Sequence, residues 1–341
     1  MVEPAGERAR YAQYDKRVDL VSIFEVWFKR SAGLAKTVQH FERFPQINHP
    51  DGRPATPDFT VLFTDGTTLI GEISSVPPEA VDDAIDQILR YDGITEVPAA
   101  RRSAGGQQLT HAVTEVDLML ITPLNGSNAT CDRVEARIDS EGISFQHPPT
   151  VLAWSFDSPT GAYTFVRPTR AGNGLPREHG RKPSIGSWLA EGSDELRGLP
   201  IHFAPLKAAS RFMNDEPPEL YTATVLWSSV FPDILVARGL PASAEFEVTV
   251  DEIGLWLLNH YGFSGATGTV RRTLGLLRVG GLAEEGPDGR WKILYTDLGR
   301  LSREIEEAIL HLINPPGGGR RDVRRVDPPE TPTVEQPKLD G

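Results

Sequence analysis

The chain is poor in the residues that would point quickly to a function. Cys131 is the single cysteine in 341 residues, so no internal disulfide and no cysteine-built zinc site can form. The eight histidines are scattered without zinc-ligand spacing. Cations are outnumbered, 35 Lys+Arg to 47 Asp+Glu, which disfavours a protein that coats nucleic acid by bulk charge. A local basic face can still meet DNA, because binding depends on where the cations lie. The opening MVEPAGERARYAQYDKR is polar, unlike a signal peptide. No apolar run approaches the roughly 20 residues that span a bilayer. The expectation is a cytoplasmic protein without a membrane segment. The glycines of AGNGLPREHG lack a strand before and a helix after them, so they do not read as a phosphate loop.

What is present is ordinary globular composition, 39% hydrophobic and 24% charged, in a chain long enough for two domains. Leu20, Ile23, Phe24, Trp27 and Phe28 recur at helical spacing, and Leu34, Val38 and Phe41 continue it after a break at Ala32-Gly33. A helix is therefore predicted over about residues 19–44. TPDFTVLFTDGTTLIGEIS, from Thr56 to Ser74, reads as a hairpin. A further helix is predicted over about residues 79–92, with prolines before it and Gly93 after it. VDLMLITP and TVLAWSF suit strands buried on both faces, and residues 162–166 suit one more. This order predicts an α/β (α+β) fold, a mixed sheet flanked by helices.

In the hairpin, odd positions (Phe59, Val61, Phe63, Leu69, Ile73) are the more apolar, and Asp58 and Glu72 are even. A three-residue loop, Thr64-Asp65-Gly66 with glycine in the left-handed place, pairs odd with odd. That register sets Asp58 opposite Glu72, with Cβ atoms about 5 Å apart. Like charges so placed repel unless a cation lies between them, and carboxylate oxygens are the usual ligands of magnesium.

The arrangement resembles the PD-(D/E)XK (restriction-endonuclease-like) nuclease superfamily, in which Pro-Asp opens one strand and acid-X-Lys closes the next. Pro57-Asp58 matches the first half and Glu72-Ile73-Ser74 the second, with Ser74 standing where the family has lysine. The resemblance implies a Mg2+ (or Mn2+) site at Asp58 and Glu72, with the carbonyl of Ile73 as a further ligand. It implies a third acid upstream, with Glu42 preferred to Glu25, and His49 as a further possible ligand. Gln87 and Tyr91, four apart on the following helix, resemble the Gln-x-x-x-Tyr signature of the recombination-nuclease branch. Ser74 cannot supply the lysine's charge, and Arg90 on the same helix is the substitute considered. The reaction implied is phosphodiester hydrolysis.

Residues 245–313 read as a separate unit of helix, arginine-bearing helix, hairpin and helix. The stretch LLRVGGLAEE…GRWKILYTDLGR is similar to the winged helices of bacterial regulators. That similarity implies DNA contact by Arg271, Arg272 and Arg278, and by Arg290 and Lys292 on the wing. A protein-binding winged helix is the alternative, since this unit carries more acids than bases. Its last helix also has the pattern to pair with a copy in a homodimer.

The expected layout is a nuclease-like domain over 1–165, a connecting segment over 166–244, the winged helix over 245–313 and a disordered tail over 314–341. Within the connecting segment, residues 168–200 are rich in glycine, proline and charge, and residues 206–213 and 217–230 read as helices. Two functional readings stand side by side. One is a metal-dependent nuclease-like protein targeted to DNA, in the style of defence or mobile-element systems. The other is an adaptor or transcription regulator that keeps the fold without the chemistry.

Overall fold

The computed structural model describes residues 4–30, 37–74, 78–100, 109–146, 149–157, 162–166, 217–241, 245–261, 263, 266–299 and 302–314. The expected break at Ala32-Gly33, the region 168–200, a helix expected over 206–213 and the tail from 315 lie outside them. The fold is mixed α/β.

Six strands form the main sheet: β1 (Val38–Arg43), β4 (Phe59–Phe63), β5 (Thr67–Ile73), β8 (Glu115–Pro123), β9 (Thr150–Asp157) and β10 (Ala162–Val166), in that spatial order. The short strands β2 (Ile47–Asn48) and β3 (Pro54–Ala55) pair with each other, as do β6 (Glu96–Pro98) and β7 (Thr110–Ala112). β1, β4 and β5 make an antiparallel meander. A crossover through α2 (Pro78–Tyr91) then lays β8 parallel to β5, and α3 (Ser127–Asp139) carries the chain to β9, parallel to β8. β10 returns antiparallel.

The hairpin register is the one read from the sequence. Phe59 faces Gly71 and Val61 faces Leu69, and Gly66 sits at φ +85° with its N–H on the carbonyl of Phe63 (3.0 Å). Odd positions of β4 and β5 pack beneath α1 (Pro4–Arg30), while Leu62 and Ile70 pack with Val81, Ile85 and Ile88 of α2. Gly71 is required where it is, because a Cβ there would lie 2.2 Å from the ring of Phe59. That ring is stacked between Phe24 and Phe41.

The first predicted helix needs correcting. Residues 38–43 are strand, with Phe41 paired to Val61. In a regular strand Val38 and Phe41 would face opposite sides, but the register shifts between Val38 and His40, and both pack on the same core while pairing against β4 overrides the helical spacing. The helix itself starts far earlier, at Pro4. Its C-terminal half packs on the sheet through Phe24 and Phe28. Its N-terminal half packs on α4 (Glu219–Ala237), where Tyr11 and Tyr14 meet Tyr221. Arg8 reaches Glu306 and Glu307 on the last helix. One hydrophobic core therefore runs from the sheet, through α1, into the C-terminal helices.

α4 covers most of the helix expected over residues 217–230, within the connecting segment, and runs on to Ala237. It is 19 residues long and apolar enough to cross a membrane by length and composition. Two-thirds of it is buried within the protein, as a core helix would be. It carries one wide turn, Leu226–Val230, where the indole N–H of Trp227 donates to the carbonyl of Thr296 (2.9 Å).

The remaining elements are β11 (Glu245–Val248), α5 (Val250–Tyr261), α6 (Ala266–Val279), β12 (Ala283–Glu285), β13 (Trp291–Leu294) and α7 (Ser302–Ile313). Thr249 caps α5, its hydroxyl accepting from the N–H of Glu252 (3.1 Å). β12 and β13 form the hairpin expected around Gly289, and β11 joins its other side to make a three-stranded sheet. α6 buries Val270, Leu274 and Leu277, and also Thr269 and Thr273. It is packed along α4, so only one narrow face, with Arg271 and Arg278 two turns apart, remains exposed.

Candidate functional site

Asp58 precedes β4 and Glu72 is the penultimate residue of β5, so the two acids meet at one end of the hairpin. Continuing the register by one step sets them opposite each other. The Glu72 carboxylate accepts the backbone N–H of Asp58 and feels its negative charge. Both side chains are almost wholly buried, 1% and 5% exposed. This is the C-terminal end of the parallel pair β5–β8, the usual place for a site in a sheet of this kind.

The repulsion is met by a residue that sequence reasoning passed over. Arg17, on α1, donates from Nη2 to Oδ1 of Asp58 at 2.8 Å. The other oxygen, Oδ2, accepts the backbone N–H of Ile73 at 2.6 Å. The Tyr91 hydroxyl, reaching from α2, donates to Oε2 of Glu72 at 3.1 Å. One side of the sheet thus contributes the cation and the other the phenol. Burial still dominates the electrostatics. It raises the Asp58 carboxyl above its ordinary range, against the pull of Arg17 and of the Ile73 N–H. Glu72 is raised further, first by burial and then by the charge of Asp58, with Arg17 and Tyr91 opposing. Burial, and then Glu72, push the Tyr91 phenol far above its normal value.

The backbone beside the pair is strained. Phe44, which donates its N–H to the Asp58 carbonyl (2.8 Å), has φ +44°. An aromatic residue in the left-handed region costs about 1–3 kcal/mol and persists only where its surroundings hold it. Here the Phe44 side chain is buried in the core.

The other expected site residues are arranged differently. Ser74 is buried at the end of β5, its N–H on the carbonyl of Ile121 (2.8 Å). Gln87 is exposed on α2, whereas Tyr91 one turn on is central to the cluster. Glu42 lies across from Thr60 and holds His40 at 2.7 Å. Glu25 is committed to Lys29 and Arg43. His49 and Arg90 both bind Asp51, and Arg90 also donates to the carbonyls of Arg53 and Pro54, so Arg90 is tied to that loop. Among the described residues, no group of three His, Cys, Asp or Glu gathers in a way that would hold a metal. The donor set at the hairpin is therefore two carboxylates. That number suits magnesium when waters or substrate phosphates complete its shell.

In the C-terminal unit, most of the expected DNA-facing cations are engaged by acids. Arg272 binds Glu219 at 2.9 Å, Arg278 binds Glu285 at 2.8 Å, and Lys292 binds Glu245 at 2.7 Å. Arg290 is held more loosely, 3.3 Å from Asp288 and 3.8 Å from Glu247. Arg271 is exposed. Exposed pairs of this kind are worth at most about 1 kcal/mol, so a phosphate can displace the acid.

A second polar cluster lies further along the same end of the sheet. The Lys16 ammonium sits 3.4 Å above the centre of the Phe156 ring and donates to the Tyr163 hydroxyl (2.8 Å). Tyr163 in turn donates to the buried Asp19 (3.1 Å). Burial lowers the Lys16 pKa, and burial with neighbouring Asp15 raises Asp19 to about 7.

No protein-family model matches the chain, and neither a curated protein nor a solved structure matches it.

Proposed function

We propose that the chain is a DNA-binding protein with a PD-(D/E)XK-like domain, whose acid pair takes a divalent ion for phosphodiester hydrolysis, and with a C-terminal winged helix that targets it. The observation that carries the reading is the meeting of Asp58 and Glu72 at the end of an antiparallel hairpin, followed by a helical crossover to a parallel strand. In its support, Tyr91 of the Gln-x-x-x-Tyr pattern touches Glu72.

Asp58 and Glu72 would hold magnesium or manganese, with the Ile73 carbonyl as a third donor. A bound ion of this class lowers the pKa of its water and stabilises charge on a scissile phosphate. The protein's own groups orient this centre. Tyr91 fixes the Glu72 carboxylate, and the Ile73 N–H fixes that of Asp58. Arg17 is the positive charge within reach where Ser74 offers none. On the targeting unit, Arg271 and Arg278 share the open face of α6, and Arg290 and Lys292 lie on the β12–β13 hairpin.

One observation favours the second reading, a regulator without chemistry. The acid pair is already buried and compensated by an arginine, and the family's lysine is replaced by Ser74. Incubating supercoiled plasmid with Mg2+ or Mn2+ separates the two. The nuclease reading expects nicking by wild type and a loss of at least about 100-fold in Glu72→Ala, the scale on which removing a catalytic electrostatic group acts. No nicking by either protein, with DNA retention that weakens as salt rises, supports the regulator.

A further inference from the structure

We propose that Arg17 is the resident counter-cation of the acid pair, and that a divalent metal ion and the Arg17 guanidinium compete for Asp58. The inference rests on the metal-site reading above and concerns how that site is controlled. Three observations lead to it. Arg17 contacts Oδ1, while Oδ2 is held by the Ile73 N–H, so an incoming ion meets the Arg17 side of the carboxylate first. Glu72, the other acid, is influenced by Arg17 as well as by Asp58, so a single cation serves both. The Arg17 side chain is 25% exposed whereas that of Asp58 is 1% exposed, so Arg17 reaches solvent and Asp58 does not. It can therefore withdraw towards water where the carboxylates cannot.

Helix α1 gives the arrangement a further consequence. The same helix that carries Arg17 is clamped to the C-terminal helices through Tyr11, Tyr14 and Arg8. The position of the guanidinium is thus set partly from the C-terminal unit.

The test is manganese binding, followed by electron paramagnetic resonance of free Mn2+, in the full chain as wild type, Arg17→Met and Glu72→Ala. Competition predicts weak binding by wild type, binding tighter by about tenfold in Arg17→Met, and none in Glu72→Ala. If Arg17→Met does not fold, as judged by circular dichroism, Arg17→Lys replaces it. That variant keeps the charge but loses the planar fork, and its affinity should rise by about threefold. Binding that Glu72→Ala abolishes but that the Arg17 variants leave unchanged or weaken overturns the competition and spares the metal site. Absence of binding in all three overturns both.

Discussion

Asp58→Ala should destabilise the metal-free protein by about 3–5 kcal/mol, and Arg17→Met by a comparable amount, yet the double variant should lose far less than the sum. Each single change leaves a buried charge without its partner, and that uncompensated charge is the main cost. Removing both takes away the Arg17–Asp58 pair together, and although Glu72 then loses the cation it shared, it is also relieved of the neighbour that helps raise its pKa. Part of the Asp58→Ala loss belongs to the Ile73 N–H, which would lose its acceptor inside the core. A double-mutant cycle by urea denaturation with EDTA isolates the pair, and coupling of about 2–3 kcal/mol is expected. Additive losses would mean that the Arg17–Asp58 contact contributes nothing specific.

The second large effect is on pH. Asp19 has a folded pKa of about 7 against an ordinary 3.8, raised by burial and by Asp15. A raised folded value favours the protonated native state. The stability contributed by this group is complete below the ordinary value and is lost as pH rises through about 7. Asp58 and Glu72 are raised too and act in the same direction. The metal-free protein should therefore weaken from pH 4 towards pH 8, with Asp19 accounting for on the order of 3 kcal/mol of that loss. Asp19→Asn should flatten the profile while leaving the Lys16–Tyr163 contact in place. An unchanged slope in melts across this range would show that Asp19 is not forced to ionise in a buried setting.

The hairpin was legible because its evidence is local. Alternation of Phe59, Val61 and Phe63, with Gly66 at the turn, leaves one register that buries the aromatics, and that register brings Asp58 to Glu72. The helix carrying Tyr91 and the strands around Leu118 and Leu152 were legible for the same reason, being strongly periodic or continuously apolar. Arg17 was not. It stands 41 positions before Asp58, in a helical half whose inward residues are tyrosines among charges, so nothing local marks it as facing the sheet. Arg90 was the nearer cation in sequence, yet the fold turns it to Asp51. α3 escaped notice because its buried side is small and mixed, Ser127, Thr130, Cys131 and Val134. Its Arg133 and Arg137 are instead tied to Asp82 and Asp86 of α2. The pairing of β1 with β4 depends on a tertiary partner that a three-residue spacing cannot reveal. In the C-terminal unit the pattern of elements was legible, but the acids that would occupy Arg272, Arg278 and Lys292 come from other elements.

Anomalous diffraction from crystals soaked in manganese tests the acid pair most directly. The expected result is one peak bridging carboxylate oxygens of Asp58 and Glu72 at about 2.0–2.2 Å, with Arg17 displaced from Asp58. Manganese bound elsewhere, with the Arg17–Asp58 contact intact and no peak between the two acids, would contradict it.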